Sequence, residues 1–215
     1  MNVKQIFELI FSDPAPIILI HGKKGRGKTD FALLIAEKAL EYGYVKMIAT
    51  NIQTEQFPKI DSTAKLKKWV KSSTEPKLFI FDEAGVYFHS RRAMSKLNVE
   101  IVKLAHLLRK YRCKMIFITV RAKDVDSSIR DPELLTCEIE KTSKKTAILK
   151  IDGYDTILLR NIPPTTIKFD TYDIAYFSFE DDTEINNNLP KEIKAALIYA
   201  EELSIPYLGF FILKV

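Results

Sequence analysis

The chain has 215 residues, of which 47% are hydrophobic and 28% charged, and its formal net charge is +5. This length and composition indicate one soluble globular domain, and the lack of repeats or low-complexity segments argues against a repeat fold or a disordered tail. The charge is compatible with a nucleic-acid partner, although lysine-rich solvated surfaces give the same balance.

The cysteines and the chain ends indicate a protein of a reducing compartment such as the cytoplasm. Cys113 and Cys137 have neither metal-ligand spacing nor a disulfide framework, which predicts buried thiols in a reducing compartment. The first residues lack the pattern of a secretory signal, and the apolar segment at 205–215 is about half the length of a membrane span. We therefore expect no membrane-spanning segment.

The first recognisable chemistry follows a short helix and a strand. An amphipathic helix is predicted over 3–11, and the apolar run at 16–21 is typical of a strand buried on both faces of a parallel sheet. Next comes HGKKGRGKTD, residues 21–30, which fits the pattern G-x-x-x-x-G-K-[ST] without a gap, and then a helical pattern that ends at Gly43. Strand, glycine-rich loop and helix are the context that a phosphate-binding loop requires.

Within this loop the backbone N–H groups are expected to surround the phosphates of a nucleotide. Lys28 is expected to reach the β- and γ-phosphates, and the Thr29 hydroxyl to ligate Mg²⁺. The residues predicted to bind the nucleotide are Gly22, Lys23, Lys24, Gly25, Arg26, Gly27, Lys28, Thr29 and Asp30. The motif does not by itself distinguish ATP from GTP.

The middle of the chain alternates predicted strands at 45–51, 77–83 and 114–120 with helices at 63–73 and 93–112. The strand at 77–83 ends in Asp82 and Glu83, at the sheet edge where α/β folds bind ligands. Asp82 is suited to hold Mg²⁺, and Glu83 to polarise the water that attacks the γ-phosphate. The alternative is that both only cap the next segment, but the complete phosphate loop upstream argues against it.

The strand at 114–120 should bring its carboxyl end to the same site. Thr119 is the first candidate for a residue that senses nucleotide state, and Arg121 is the second. The alternative is that Thr119 is an ordinary β-branched strand residue.

After residue 131 the pattern becomes rich in β-structure. TCEIEKTS and TAILKID predict a hairpin, DTILLRNIP and AYFSFE predict further short strands, and 190–203 predicts a closing helix. The expected fold is therefore α/β, with a mainly parallel central sheet, a β-rich C-terminal extension and a closing helix. We predict a nucleotide-binding core at 1–135 and an extension at 136–215 packed on the same domain.

Three segments together resemble the FtsK/HerA superfamily of DNA-pumping ATPases: HGKKGRGKTD, LFIFDEAGVYFHSRR and LLRKYRCKMIFITVRAKDVDSSIRD. The resemblance covers about residues 15 to 135. Within this superfamily the chain is most similar to the genome-packaging ATPases of archaeal and membrane-containing viruses, and it also resembles the zonula-occludens-toxin-like assembly ATPases of filamentous phages. It implies a RecA-like (ASCE) P-loop fold, with ATP and Mg²⁺ as cofactors.

Carried over to this sequence, the resemblance implies that Lys28 and Thr29 contact nucleotide and Mg²⁺, that Asp82 binds Mg²⁺ and that Glu83 is the catalytic base. It also implies a ring, expected to be a hexamer, in which an arginine completes the neighbour's site. That arginine is Arg109, with Arg112 as runner-up; both also suit an ordinary helix C-terminus. The family's sensor strand usually reads T-Q-R, whereas here Val120 follows Thr119.

Basic residues after the acidic strand are the candidates for DNA contact. Arg91 and Arg92 lie in a predicted loop and Lys96 begins the next helix, so they could track a phosphate backbone without reading bases. The alternative is a solvated helix face.

The leading hypothesis is an ATPase that moves double-stranded DNA to package a viral genome, with capsid or portal proteins as further partners. One rival is an assembly ATPase that extrudes phage particles. The other is a nucleotide-binding DNA-tethering module with little turnover, which Val120 favours because valine cannot hydrogen-bond a phosphate or water.

Overall fold

The computed structural model describes residues 3–84, 106–125, 134–170 and 175–178, and the following account refers to these residues. The helices are α1 Val3–Ser12, α2 Lys28–Glu41 and α3 Thr63–Lys71, with a short 3-10 helix at Ala122–Asp124 and helical residues at 106–110. The strands are β1 Ile17–His21, β2 Met47–Thr50, β3 Lys77–Phe81, β4 Cys113–Thr119, β5 Leu134–Ser143, β6 Thr146–Ile151 and β7 Ile157–Arg160.

The strands form one seven-stranded sheet in the order β2-β3-β4-β1-β5-β6-β7. The first five are parallel to their neighbours, and β6 and β7 are antiparallel. The predicted mixed α/β fold with a mainly parallel sheet and a β-rich extension is therefore confirmed. The predicted closing helix at 190–203 lies outside the described residues.

Strand β5 has a role that its sequence pattern does not predict. It forms the expected hairpin with β6, but along its other edge it pairs in parallel with β1, so that it is the fifth parallel strand of the core. Its alternating burial is that of a half-buried hairpin strand, which is why its sequence gives no sign of the parallel neighbour. It also crosses the expected boundary at 135 without a break in the sheet.

Helices cover both faces of the sheet because neighbouring residues of a strand point to opposite sides. Ile18 and Ile20 of β1 pack into a core with α1 and α2, while Ile17 and Leu19 pack into a second core with α3. Strands β1 and β3 are buried almost throughout, as their apolar runs predict. The two layers fix the carboxyl ends of β1, β2 and β3 at one edge.

After β7 the chain returns across that edge as a segment we call the strap, residues 162–170 and 175–178. Its Thr165 hydroxyl and Thr166 N–H donate to Glu37 of α2 at 3.0 and 2.9 Å. Farther along, the N–H of Ser178 donates to the carbonyl of Asp61 at 2.7 Å. The strap is thereby tied to helix α2 and to the start of α3.

The expected strand AYFSFE is not a regular strand where it is described. Over 175–178 the only β-pairing is an isolated parallel bridge between Ser178 and Ser62. The alternating apolar residues of this segment still serve burial: Ala175 and Phe177 are buried and Tyr176 is exposed. The sequence pattern correctly predicted the alternation of buried and exposed side chains, but it did not predict that the segment lacks a partner strand.

Candidate functional site

The phosphate loop leaves β1 at Gly22 and is packed against β5. Gly22 has φ +151°, and a Cβ there would lie 2.4 Å from the carbonyl oxygen of Ile139. Gly27, which caps α2 with φ +74°, would bring a Cβ to 2.5 Å from the side chain of Lys141. At Gly22 the conformation and the nearby backbone exclude a side chain, whereas at Gly27 the left-handed conformation favours glycine and the neighbouring Lys141 side chain is flexible.

Lys28, the first residue of α2, spans the loop. Its Nζ donates to the carbonyl oxygen of Lys23 at 3.1 Å. Burial lowers the pKa of Lys28, and the nearby carboxyls of Asp82 and Glu83 act in the opposite direction. The ammonium therefore lies within the loop and close to the acidic turn, as a phosphate-binding lysine must.

The two predicted magnesium ligands come together across the site. The Thr29 hydroxyl donates to Oδ2 of Asp82 at 2.9 Å. Burial raises the pKa of Asp82, while hydrogen bonds from the Glu83 N–H and the Thr29 hydroxyl lower it. These are hard oxygen donors of the class that Mg²⁺ prefers, so the residues present fit that ion.

Glu83 stands in a tight turn directly after β3. Its φ is +58°, and its N–H donates to Oδ1 of Asp82 at 2.8 Å. A non-glycine residue in this region is uncommon and is found more often at functional sites than elsewhere. The turn leaves the Glu83 side chain exposed at the cleft.

A cleft of about 390 Å³ lies between the loop and this turn. Its lining comprises Lys24, Gly25, Gly27, Lys28, Thr29, Asp30, Ile52, Asp82, Glu83, Phe169, Asp170 and Ala175. Most of the predicted nucleotide-binding residues thus face one space. Of the others, Gly22 is at the root of the loop, Lys23 contributes its carbonyl, and Arg26 points to β5, 3.6 Å from Glu140.

The predicted sensor residue lies beside the loop and is not among those that line the cleft. Thr119 ends β4, is buried and pairs with His21 of β1. The next residue, Val120, is 40% exposed, and its carbonyl accepts from the N–H of Gly22 at 3.3 Å. The strand therefore contacts the loop through backbone, and a sensor role for Thr119 stays a prediction.

Arg109 lies at the other edge of the sheet. It lines a cavity of about 530 Å³ together with Pro16, Lys77 and Lys114, which mark the amino ends of β1, β3 and β4. At about 3.3 Å per residue, the length of β1 separates this cavity from the loop by roughly 16 Å. Arg109 and Lys28 of one chain are thus far apart, and a role in a neighbour's site stays a prediction. The DNA candidates Arg91, Arg92 and Lys96 lie outside the described residues.

Two side chains that contact residues of the site were not predicted from the sequence. Asn51, directly after β2, hydrogen-bonds the backbone of Asp82 at 2.8 and 3.2 Å. Lys141 of β5 forms an ion pair with Asp30 of α2. Asn51 could have been noticed as a polar residue at the carboxyl end of a buried strand, whereas Lys141 gives no local signal.

In the described part of the chain, no helix is both long and apolar enough to cross a membrane. The family model described as "ATPase family associated with various cellular activities (AAA)" matches residues 18–160. No curated protein matches the sequence at a significant level.

Several solved structures are similar to this chain. One is the genome packaging NTPase B204 of Sulfolobus turreted icosahedral virus 2, with 14% identity, a TM-score of 0.50 and coverage of 71% of this chain and 99% of that one. Another is the N-terminal domain of zonular occludens toxin from Neisseria meningitidis, with 20% identity, a TM-score of 0.47 and coverage of 74% and 95%. At these identities the likeness concerns the fold alone.

Proposed function

We propose that this chain, which belongs to the AAA family of ATPases, is a Mg²⁺-dependent motor that moves double-stranded DNA and packages a viral genome into a capsid. ATP hydrolysis at a P-loop follows from the family itself. The observation that carries the site assignment is the 2.9 Å hydrogen bond between Thr29 and Asp82, which joins the phosphate loop to the acidic turn.

In the proposed reaction, water attacks the γ-phosphorus and the bond to the departing ADP oxygen breaks. Glu83 polarises this water and accepts its proton, and Lys28 contacts the β- and γ-phosphates. Thr29 and Asp82 would hold Mg²⁺, and the ion would supply positive charge beside the phosphate oxygens. Asn51 keeps Asp82 in place through its backbone.

The motor function rests on the resemblance to DNA-pumping ATPases described above. The fold shared with a genome packaging NTPase is compatible with it. The proposal includes a ring, expected to be a hexamer, that works in the host cytoplasm or at the virion and contacts capsid or portal proteins. The rivals are an extrusion ATPase and a DNA-tethering module of low turnover.

Steady-state ATP hydrolysis with and without double-stranded DNA separates these functions. A packaging motor should hydrolyse ATP faster when DNA is present, an extrusion ATPase should be indifferent to DNA, and a tethering module should bind DNA with little turnover. The control is Glu83→Gln, which should bind ATP but not turn it over, because an amide cannot act as a base. Turnover of Glu83→Gln at the wild-type rate would refute the assignment of the base.

DNA binding measured at increasing salt concentration tests the DNA contact. Binding should weaken steeply with salt and show little sequence preference, and Arg91→Ala with Arg92→Ala should reduce the salt slope by roughly two. A matched control removes two exposed charges from α3, Lys68→Ala with Lys71→Ala, and should leave the slope unchanged. Equal salt slopes for the wild type and the arginine variant would show that Arg91 and Arg92 do not contact DNA.

A further inference from the structure

Asn51 is a fully buried polar side chain whose hydrogen bonds all go to backbone. Its Oδ1 accepts from the N–H of Asp82 at 2.8 Å, and its Nδ2 donates to the carbonyl of Asp82 at 3.2 Å. The same Nδ2 donates to the carbonyl of Ala175 at 3.2 Å. The amide thus holds both backbone groups of Asp82 and one group of the strap.

The backbone of Asp82 decides where its carboxylate lies. The side chain is short, and its two oxygens are already engaged by the Thr29 hydroxyl and the Glu83 N–H. Any displacement of the Asp82 backbone would therefore move the carboxylate and the turn that carries Glu83. Small displacements of catalytic groups reduce rates strongly, by about 10²-fold for 1 Å.

The strap is part of the cleft as well as a partner of Asn51. Phe169, Asp170 and Ala175 line the cleft opposite the phosphate loop. The strap lies after residue 160, where the family match ends. It is anchored away from the cleft by Glu37 of α2, which accepts from Thr165 and Thr166. One amide therefore connects a wall of the cleft to the acidic turn.

We propose that Asn51 is a positioning residue that couples the seating of the strap to the geometry of the Asp82–Glu83 turn. With the strap seated, Asn51 is fixed from both sides and the turn is held for Mg²⁺ and ATP. With the strap displaced, one of the two N–H groups of the amide loses its acceptor in a buried place, and the hold on Asp82 weakens. This inference rests on the magnesium site proposed above but not on any action upon DNA.

The first experiment changes Asn51. In Asn51→Asp the carboxylate still accepts from the N–H of Asp82 but donates to neither carbonyl; Asn51→Ala removes all three hydrogen bonds. Binding of a fluorescent ATP analogue should then need about tenfold more Mg²⁺ for half-saturation, while affinity without Mg²⁺ changes less than twofold. Hydrogen exchange in the nucleotide-free protein should quicken at the Asp82 amide and over 175–178.

The second experiment changes the strap at its far anchor, so that the inference is tested even where Asn51 variants fail to fold. Glu37→Ala removes the acceptor of Thr165 and Thr166. Its matched control is Glu41→Ala, which removes the same charge from the same helix but contacts Lys38 rather than the strap. Glu37→Ala should raise the half-saturating Mg²⁺ concentration about threefold and quicken exchange at Asp82, and Glu41→Ala should do neither.

Coupling also predicts non-additivity. If both residues act through the strap, the double variant Asn51→Asp with Glu37→Ala should need no more Mg²⁺ than Asn51→Asp alone. Fully additive effects, or a wild-type Mg²⁺ requirement in folded Asn51→Asp, would overturn the inference. If nucleotide binding by the wild-type protein does not depend on Mg²⁺, the magnesium site itself is refuted. Because none of these assays contains DNA, their outcome does not depend on the proposed action on DNA.

Discussion

At the scale of single residues, Asp82 is placed where its charge is unfavourable without a cation. Burial raises the pKa of the carboxyl despite the hydrogen bonds that favour its ionised form. Stability from such a group is fully present at low pH and is lost as the pH rises through the pKa of the folded state. Ionisation of Asp82 therefore lowers the stability of the nucleotide-free fold relative to the protonated carboxyl.

We predict that Asp82→Asn raises the melting temperature of the nucleotide-free protein at pH 7 while it abolishes Mg²⁺-dependent binding of ATP. The amide carries no charge and its oxygen still accepts from the Thr29 hydroxyl, but its NH2 group cannot replace the oxygen that accepts from the Glu83 N–H. We expect the removal of the charge to outweigh the loss of this hydrogen bond. Thermal melts without Mg²⁺ should show that the advantage shrinks as the pH falls through the raised pKa of Asp82. Asp155→Asn, at an exposed position, is the control. A lower melting temperature for Asp82→Asn at pH 7 would show that burial of the charge is not the dominant effect.

At the scale of elements, the loop and strand β5 form one packed unit. Ile139 and Lys141 of β5 occupy the space that side chains at Gly22 and Gly27 would need, and Lys141 is paired with Asp30. The β5–β6 hairpin therefore shapes the phosphate loop directly.

Substitution of two glycines by alanine distinguishes the contribution of this packing to stability from that of the backbone conformation. Gly22 and Gly43 both have positive φ, but only Gly22 is close to another backbone group. Gly43→Ala should lower the free energy of unfolding by about 1–2 kcal/mol, the effect of a left-handed conformation alone. Gly22→Ala should lower it further and weaken nucleotide binding, since the carbonyl of Ile139 cannot move without β5. Denaturant unfolding would contradict this if the two variants lost the same stability.

The same elements show what the sequence could and could not predict. The apolar runs of β1, β3 and β4 are bounded by proline, glycine or charged residues, so the predicted bounds differ from the observed ones by only one or two residues. Lys28, Thr29, Asp82 and Glu83, which the two motifs placed at one edge of the sheet, line one cleft. The parallel edge of β5 and the amide of Asn51 depend on which segments become neighbours over long distances. No local pattern contains that information, and Phe169 and Asp170 were missed for the same reason.

At the scale of the whole molecule, Arg109 and the phosphate loop lie at opposite edges of the sheet. An arginine so far from its own cleft can act on a γ-phosphate only in another copy of the chain. A guanidinium that contacts the γ-phosphate increases the rate of phosphoryl transfer by about 10³-fold or more.

Mixing two inactive variants tests this arrangement. Lys28→Ala is defective in its own loop, and Arg109→Ala is expected to be defective only toward its neighbour. Co-assembled rings should regain part of the ATPase activity, because some interfaces pair an intact loop with an intact arginine. The same mixing experiment with Arg112→Ala in place of Arg109→Ala tests Arg112, the second candidate for this arginine. Rings that are shown to contain both variants and stay inactive would exclude Arg109 from this role.

The position of β1 between β4 and β5 also governs the order in which the protein can mature. Residue 17 pairs with residue 115 on one side and residue 134 on the other, so the loop that follows β1 lacks both neighbours until late in synthesis. At about 5–20 residues per second, the roughly 120 residues from Gly22 to the end of β5 take on the order of ten seconds to make. Throughout that interval β1 lacks at least one of its two neighbouring strands. ATP therefore cannot stabilise the fold through a completed phosphate loop before β5 has been synthesised.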